Sequence, residues 1–257
     1  MGKILNKIKD RVRRVLGIKK LEREINALSV QQDLLLRIQR ESLKASLFRD
    51  SIAHSDWLKN PNFSPGGWAV DYGVLYTLYR ILNDTKPKNI IEFGLGQSSK
   101  MLYQYQKAFS DAKVYTIEHN QDWIDFFENE IQSDYKTNIV KHDLETIEYK
   151  GYDTLVYKNL DKTIGNSIYD LIVVDGPYGS EHYARTQLID LVEHLSDSFC
   201  IVLDDYERIG EQETIKEVEA KLQSKHIEYK LAVYTSSKQH IVICSPDKEF
   251  LTSLYWF

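Results

Sequence analysis

The stretch Asn89-Ile90-Ile91-Glu92-Phe93-Gly94-Leu95-Gly96-Gln97-Ser98-Ser99 decides the fold. Ile90 and Ile91 form a short apolar run that ends at an acid, Glu92. A run of this kind reads as a buried strand. Two glycines at alternate positions, Gly94 and Gly96, then open a helix. Glycine there permits a sharp turn and lets a ligand approach the backbone with no Cβ between them. A second strand, Val114-Tyr115-Thr116-Ile117, also closes on an acid, Glu118. An acid at that point can hold the two hydroxyls of a ribose. Together the two strands point to a cofactor built on a nucleoside.

Outward from this pair, strand and helix patterns alternate. Strands are expected over 89–93, 113–118, 137–141, 169–174 and 199–203, and helices over 69–83, 97–109, 121–132, 181–195 and 211–224. The alternation predicts a parallel sheet with helices on both faces. Two closing strands, 228–235 and 239–244, are separated only by Ser236-Ser237-Lys238. So short a link makes them an antiparallel hairpin at one edge. Residues 145–166 are rich in Tyr and Lys without a clear period, and read as a hairpin or a substrate-facing insertion. Residues 1–45 form one helical unit and 46–257 one compact domain.

Composition narrows the class. A hydrophobic content of 42% and a charged content of 28% suit a soluble globular chain and exclude a disordered one. Cys200 and Cys244 each lie in an apolar run, and no zinc or disulfide spacing is present, so a reducing cytoplasm is the expected compartment. No apolar run reaches transmembrane length, and no signal peptide is expected. The net charge of −5 divides unevenly: residues 1–24 carry +6 and the remainder −11. An acidic body argues against nucleic acid as a partner, since phosphates need a basic face.

Ile4, Leu5, Ile8, Val12, Val15 and Leu16 recur at helical spacing among lysines and arginines. This is a basic amphipathic pattern of the kind that lies peripherally on anionic membranes. Beyond Gly17, the positions Ile18, Leu21, Ile25, Leu28 and Leu35, with Gln32 in the seam, step by three and four. That is a short coiled-coil signal, which would make the chain a homo-oligomer. The two readings are compatible. A solvated helix packing on its own domain is the plainer one.

Over residues 65–245 the chain resembles the class I S-adenosylmethionine-dependent methyltransferases. The resemblance rests on Glu92-Phe93-Gly94-Leu95-Gly96, on Glu118, on Asp143 after the third strand, on Val173-Val174-Asp175-Gly176-Pro177 after the fourth, and on the closing hairpin. It implies a Rossmann-like, doubly wound seven-stranded sheet of order 3-2-1-4-5-7-6 with the last strand antiparallel. It also implies that Glu92, Gly94, Gly96, Gln97 and Ser98 face the methionine part of the cofactor. Glu118, with His119 beside it, would take the ribose, and Asp143 with His142 the adenine. Ser98 stands where the family commonly has a third glycine. A hydroxyl there can cap the helix or donate to a carboxylate. The catechol-type O-methyltransferases use a similar serine-containing loop. A second resemblance, to methyltransferase-like proteins encoded with bacterial surface-polysaccharide genes, rests on the runs 64–72 and 204–208.

Asp175, Asp204 and Asp205 close the fourth and fifth strands, neighbours about 5 Å apart in the implied order. Three carboxylates in one crevice repel one another unless protons or a cation compensate. Magnesium or another divalent cation, bound through oxygens, would serve, and the catechol-type branch resembles this arrangement. The alternative is that Asp175 lines the cofactor site and Asp205 caps the following helix. His182 is a candidate base for an acceptor hydroxyl, against a plain surface histidine. Arg185 and Arg208 suit an anionic substrate, or salt bridges to neighbouring acids. Trp68 and Tyr72 suit a pocket wall for a small molecule or glycan, or core packing. Two rival functions stay open. Gly94-x-Gly96-x-x-Ser99 with Glu118 partly fits an NAD(P)-dependent oxidoreductase. A non-catalytic nucleoside-binding docking protein fits the same fold.

Overall fold

The computed structural model describes residues 17–131 and 138–255. The expected membrane-binding run thus lies outside the described residues up to position 16. The chain divides into two compact units, 1–40 and 41–257. Helix α1 (Ile18–Ile52) runs through that division. Lys44 and Phe48 of this helix are buried, and Phe48 belongs to the core of the larger unit.

In chain order the larger unit continues with α2 (Tyr72–Thr85), β1 (Asn89–Phe93), α3 (Gln97–Ala108), β2 (Lys113–Glu118), α4 (Gln121–Ile131) and β3 (Ile139–Lys141). Next come β4 (Leu144–Tyr149), β5 (Tyr152–Tyr157), α5 (Leu160–Ile164), β6 (Tyr169–Val174) and α6 (Gln187–Leu191). The last elements are β7 (Leu195–Leu203), α7 (Ile209–Ser224), β8 (Lys230–Thr235) and β9 (Gln239–Cys244). The main sheet has the order β3-β2-β1-β6-β7-β9-β8, and β4 and β5 form a separate hairpin. Pairings from β3 to β7 are parallel, while β9 runs antiparallel to both β7 and β8. With the hairpin set aside, this is the implied 3-2-1-4-5-7-6 order with a reversed last strand: a Rossmann-like, doubly wound α/β fold.

The strands alternate between two cores. Ile90, Val114, Val173, Cys200 and Val202 face the helices α2 and α3, whereas Ile91, Ile117, Ile172, Val174 and Ile201 face α7. Burial on both faces is why these strands read as continuous apolar runs rather than alternating ones. Strand order reverses between β1 and β6, which opens a crevice at their carboxyl ends. Glu92, Glu118, Asp175, Asp204 and Asp205 all lie at or just past these strand ends.

Two expected helices are corrected. The helix expected from 69 begins at Tyr72, because Asp71 caps it by accepting from the Val74 amide at 3.0 Å. The helix expected over 181–195 is reduced to Gln187–Leu191 and a 3-10 turn, Val192–His194. Side chains claim the backbone that a helix would need: Thr154 donates to the Tyr183 carbonyl and Thr214 to that of Ala184. Tyr183 and Arg185 accordingly hold positive φ, 46° and 61°.

Candidate active site

Glu92, the last residue but one of β1, is completely buried. Its Oε2 accepts from Ser99 at 2.6 Å and from Thr116 at 2.9 Å. Thr116 in turn accepts from the Tyr103 hydroxyl, and Ser99 from the Gly96 amide. Among the described residues, Oε1 has no hydrogen-bond partner. Burial pushes the carboxyl up to about 7, against the pull of the neighbouring serine and threonine hydroxyls. A half-satisfied buried carboxylate is costly unless a donor or cation arrives to complete it.

The two glycines serve different purposes. A Cβ on Gly94, which has φ +92°, would meet the Asp175 carbonyl carbon at 3.0 Å and the Gly176 amide at 3.1 Å. Gly94 therefore admits the neighbouring strand tip rather than a ligand. A Cβ on Gly96 would meet nothing within 4 Å, so Gly96 is the one that borders open space. Gln97 accepts from the Ser64 amide, and Ser98 is buried in the first turn of α3.

Glu118 ends β2, and its Oε1 accepts from the amides of His119 and Asn120 at 2.7 and 2.8 Å, with the His119 ring also at 2.8 Å. Among the described residues, Oε2 accepts only from the Leu95 amide, at 3.1 Å. A carboxylate offers about four acceptor positions, so Oε2 retains room for one more donor. The Trp123 indole donates to the Leu95 carbonyl alongside. His142 is not free for an adenine, because its ring nitrogens face the Lys158 carbonyl and the Thr163 hydroxyl, both at 2.8 Å. It fastens the insertion to the sheet. Asp143 is exposed and faces Lys141 at 3.6 Å.

Tyr157, at the end of the hairpin, was hidden in a stretch without periodicity. Its buried hydroxyl lacks a partner among the described residues and lies 2.9 Å from where a Gly176 Cβ would stand. Burial raises its pKa, and the charges of Glu118, Asp175 and Glu92 add to that while Arg185 opposes it. The ring thus stands among the strand-tip acids.

Asp175, Asp204 and Asp205 do come together, each offering an oxygen within 4.8 Å of the others. Three cations reach them. Arg185 Nη2 lies 2.9 Å from Asp205 Oδ2 and 3.7 Å from Asp175 Oδ1, and Nη1 donates to the Asp204 carbonyl at 2.7 Å. Arg208 meets the same Asp205 oxygen at 2.9 Å and Glu211 at 3.6 Å. Lys238 Nζ stands 3.4 Å from Asp204 Oδ2 and 3.2 Å from Asp205 Oδ1. Burial, with Asp205 adding, raises Asp175 to about 6, although Arg185 and Lys238 pull it down. Burial also lifts Asp204 well above the aspartate range. Lys238 and Glu211 were not singled out in the sequence, where their pairing across distant loops leaves no local pattern.

Three other expected roles change. His182 faces Glu213 at 3.1 Å and stacks on Tyr152, with ring centroids 4.1 Å apart, so it is a structural residue rather than a base in the crevice. Tyr72 packs on Phe48, making it part of the core. Arg185 is buried among acids and unavailable to a substrate. Trp68 remains a wall: it is 77% exposed and meets Tyr178 edge-on at 4.9 Å. Both line a cavity of about 720 Å³ with Pro177, Arg208 and Glu211. Arg208 lies 5.3 Å from the Tyr178 ring centre.

No family model and no curated protein matches the chain. Among solved structures it is similar to an O-methyltransferase from Bacillus cereus in complex with S-adenosylhomocysteine, at 11% identity, covering 80% of this chain and 90% of that one, with a TM-score of 0.48. It is also similar to the precorrin-6y C5,15-methyltransferase from Geobacter metallireducens, at 13% identity, 72% and 95% coverage and a TM-score of 0.46. A third likeness is to the O-methyltransferase of tomaymycin synthesis from Streptomyces achromogenes in complex with S-adenosylmethionine, at 13% identity, 80% and 89% coverage and a TM-score of 0.44.

Proposed function

We propose that the chain is an S-adenosylmethionine-dependent methyltransferase acting at an oxygen of a small molecule or glycan. One observation carries the reading. Glu92 presents a fully buried carboxylate, drawn on by the Ser98 hydroxyl, whose Oε1 makes no hydrogen bond among the described residues, and it is linked through the Ser99 hydroxyl to the amide of Gly96, whose missing side chain borders open space. This pair suits a cationic amine held against a backbone turn. Glu118, at the adjacent strand tip, keeps an acceptor position for a ribose hydroxyl. The Tyr157 hydroxyl is a further donor among these acids.

When bound, the cofactor supplies a methyl group already activated by its sulfonium charge. The residues of the chain then have three tasks. Glu92, Gly96 and Glu118 fix the donor. Trp68, Tyr178 and Arg208 line the cavity that would receive the acceptor and keep water from it. Asp175, with its side chain 14% exposed against 2% and 5% for Asp204 and Asp205, is the carboxylate of the cluster open to an acceptor proton.

Isothermal calorimetry with S-adenosylmethionine and, separately, NAD(H) tests the reading. The expected result is binding of the former alone, weakened more than about tenfold by Glu118→Ala, which corresponds to about 1.4 kcal/mol. Preference for NAD(H) would establish an oxidoreductase instead. Unchanged affinity in a folded Glu118→Ala chain would remove the ribose assignment.

A further inference from the structure

We infer that Lys238 and Arg185 hold the place of a divalent cation, so that the acidic strand tips form a crevice that works without a metal. The geometry is specific. Lys238 Nζ lies between Asp204 Oδ2, at 3.4 Å, and Asp205 Oδ1, at 3.2 Å, and so occupies the position from which an ion would bridge those two oxygens. The other Asp205 oxygen is held at 2.9 Å by both Arg185 and Arg208. Magnesium or calcium would need these same oxygens at about 2.0–2.6 Å. It would have to displace the ammonium or sit against it as a like charge.

Lys238 is not a surface lysine that happens to reach inward. Its side chain is 15% exposed, and its Nζ donates to the Ala69 carbonyl at 3.2 Å. Its amide donates to Asp71 Oδ2 at 3.0 Å, where Ser237 also donates. Asp71 is itself buried as the cap of α2. The β8–β9 turn is thereby fastened at both ends, with the ammonium aimed at the acids. Arg185 is equally fixed, by the Asp204 carbonyl at 2.7 Å and by its 3% exposure.

Asp175, Asp204, Asp205 and Glu211 face Arg185, Arg208 and Lys238, so three cations already stand at the oxygens a metal ion would need.

The inference rests on the methyltransferase reading only for the role of the donor, and its test does not depend on turnover. Manganese(II) binding, read from the loss of the free-ion electron paramagnetic resonance signal, is measured on the full chain and on Lys238→Met and Lys238→Arg. The wild type and Lys238→Arg are expected to leave the signal intact. Lys238→Met is expected to bind with a dissociation constant below about 1 mM, and Asp205→Asn added to it should abolish binding. Circular dichroism confirms that each variant folds. Manganese binding by the wild type that is lost in Asp205→Asn would overturn the inference. So would a folded Lys238→Met chain that binds none. Calorimetry with S-adenosylmethionine, run alongside with and without chelator, is expected to give equal affinities. A metal requirement for donor binding would overturn the inference, whereas no donor binding under either condition would count against the methyltransferase reading and leave the manganese result standing.

Discussion

Glu92 and Tyr157 each bury a polar oxygen that the folded chain leaves unmatched, and both have measurable consequences. Glu92 has a folded pKa of about 7 against an ordinary 4.5. Between these values the native chain binds the extra proton, so its contribution to stability is lost as pH rises through that window. A shift of this size is worth about 3 kcal/mol. Glu92→Gln is therefore expected to flatten the fall in stability from pH 5 to pH 7 seen in urea melts; an unchanged slope would deny that the carboxyl is desolvated. Tyr157→Phe removes a hydroxyl without a partner, a defect costing about 1–3 kcal/mol. The ligand-free variant should melt higher than the wild type while binding S-adenosylmethionine more weakly, and a lower melting temperature would show that the hydroxyl is already satisfied. Residues whose position follows from their place on a strand were legible in the sequence: Glu92 and Glu118 each follow an apolar run and sit where the crevice opens. Residues whose role depends on partners far along the chain were not. Gly94 is needed because Asp175 and Gly176 crowd it, and Lys238 because Asp204 and Asp205 are across from it.

Among the elements, the order and kind of the main-sheet strands could be read from apolar runs because burial on both faces demands them. The segment 175–186 could not. Its second half falls within the helix expected over 181–195, but Thr154 and Thr214 bond the Tyr183 and Ala184 carbonyls instead. Tertiary partners of this kind override local propensity. The cap of α2 shows the same dependence across a longer distance. Asp71 accepts from the Val74 amide in its own helix and from Ser236, Ser237 and the Lys238 amide in the β8–β9 turn. Losing a cap costs about 1 kcal/mol, and each buried donor left unmatched adds about as much again. Asp71→Ala is thus expected to lower stability by about 3 kcal/mol in urea melts. Asp71→Asn, which keeps the cap, should lose less. Equal losses for the two would mean that the turn is not held by this carboxylate.

For the molecule as a whole, the remaining question is what stabilises the first helix. Every residue from Lys20 to Arg40 is exposed, including Leu21, Ile25, Leu28 and Leu35 at 56–63%. No helix among the described residues is long and apolar enough to cross a membrane. An isolated helix gains little from propensity alone and depends on burying one face. The exposed positions recur in steps of three and four, the spacing at which two copies interlock. A wider apolar band also runs through Leu36 and Ile38, at 40% and 56% exposure. We propose self-association of this helix with a second copy of the chain. Sedimentation equilibrium should show an oligomer at micromolar concentration, and Leu21→Glu with Leu28→Glu should reduce it to a monomer, because each glutamate would carry a charge into the seam. A monomeric wild type would end the proposal and direct attention to the other reading of the same end of the chain. Its net charge of +6 over residues 1–24 suits an anionic surface. Flotation with anionic vesicles distinguishes the two, since deletion of residues 1–24 should abolish lipid binding, while the paired leucine substitutions keep every lysine and arginine of that segment and lower its charge only from +6 to +5. Binding that survives the deletion would place any lipid contact elsewhere on the chain.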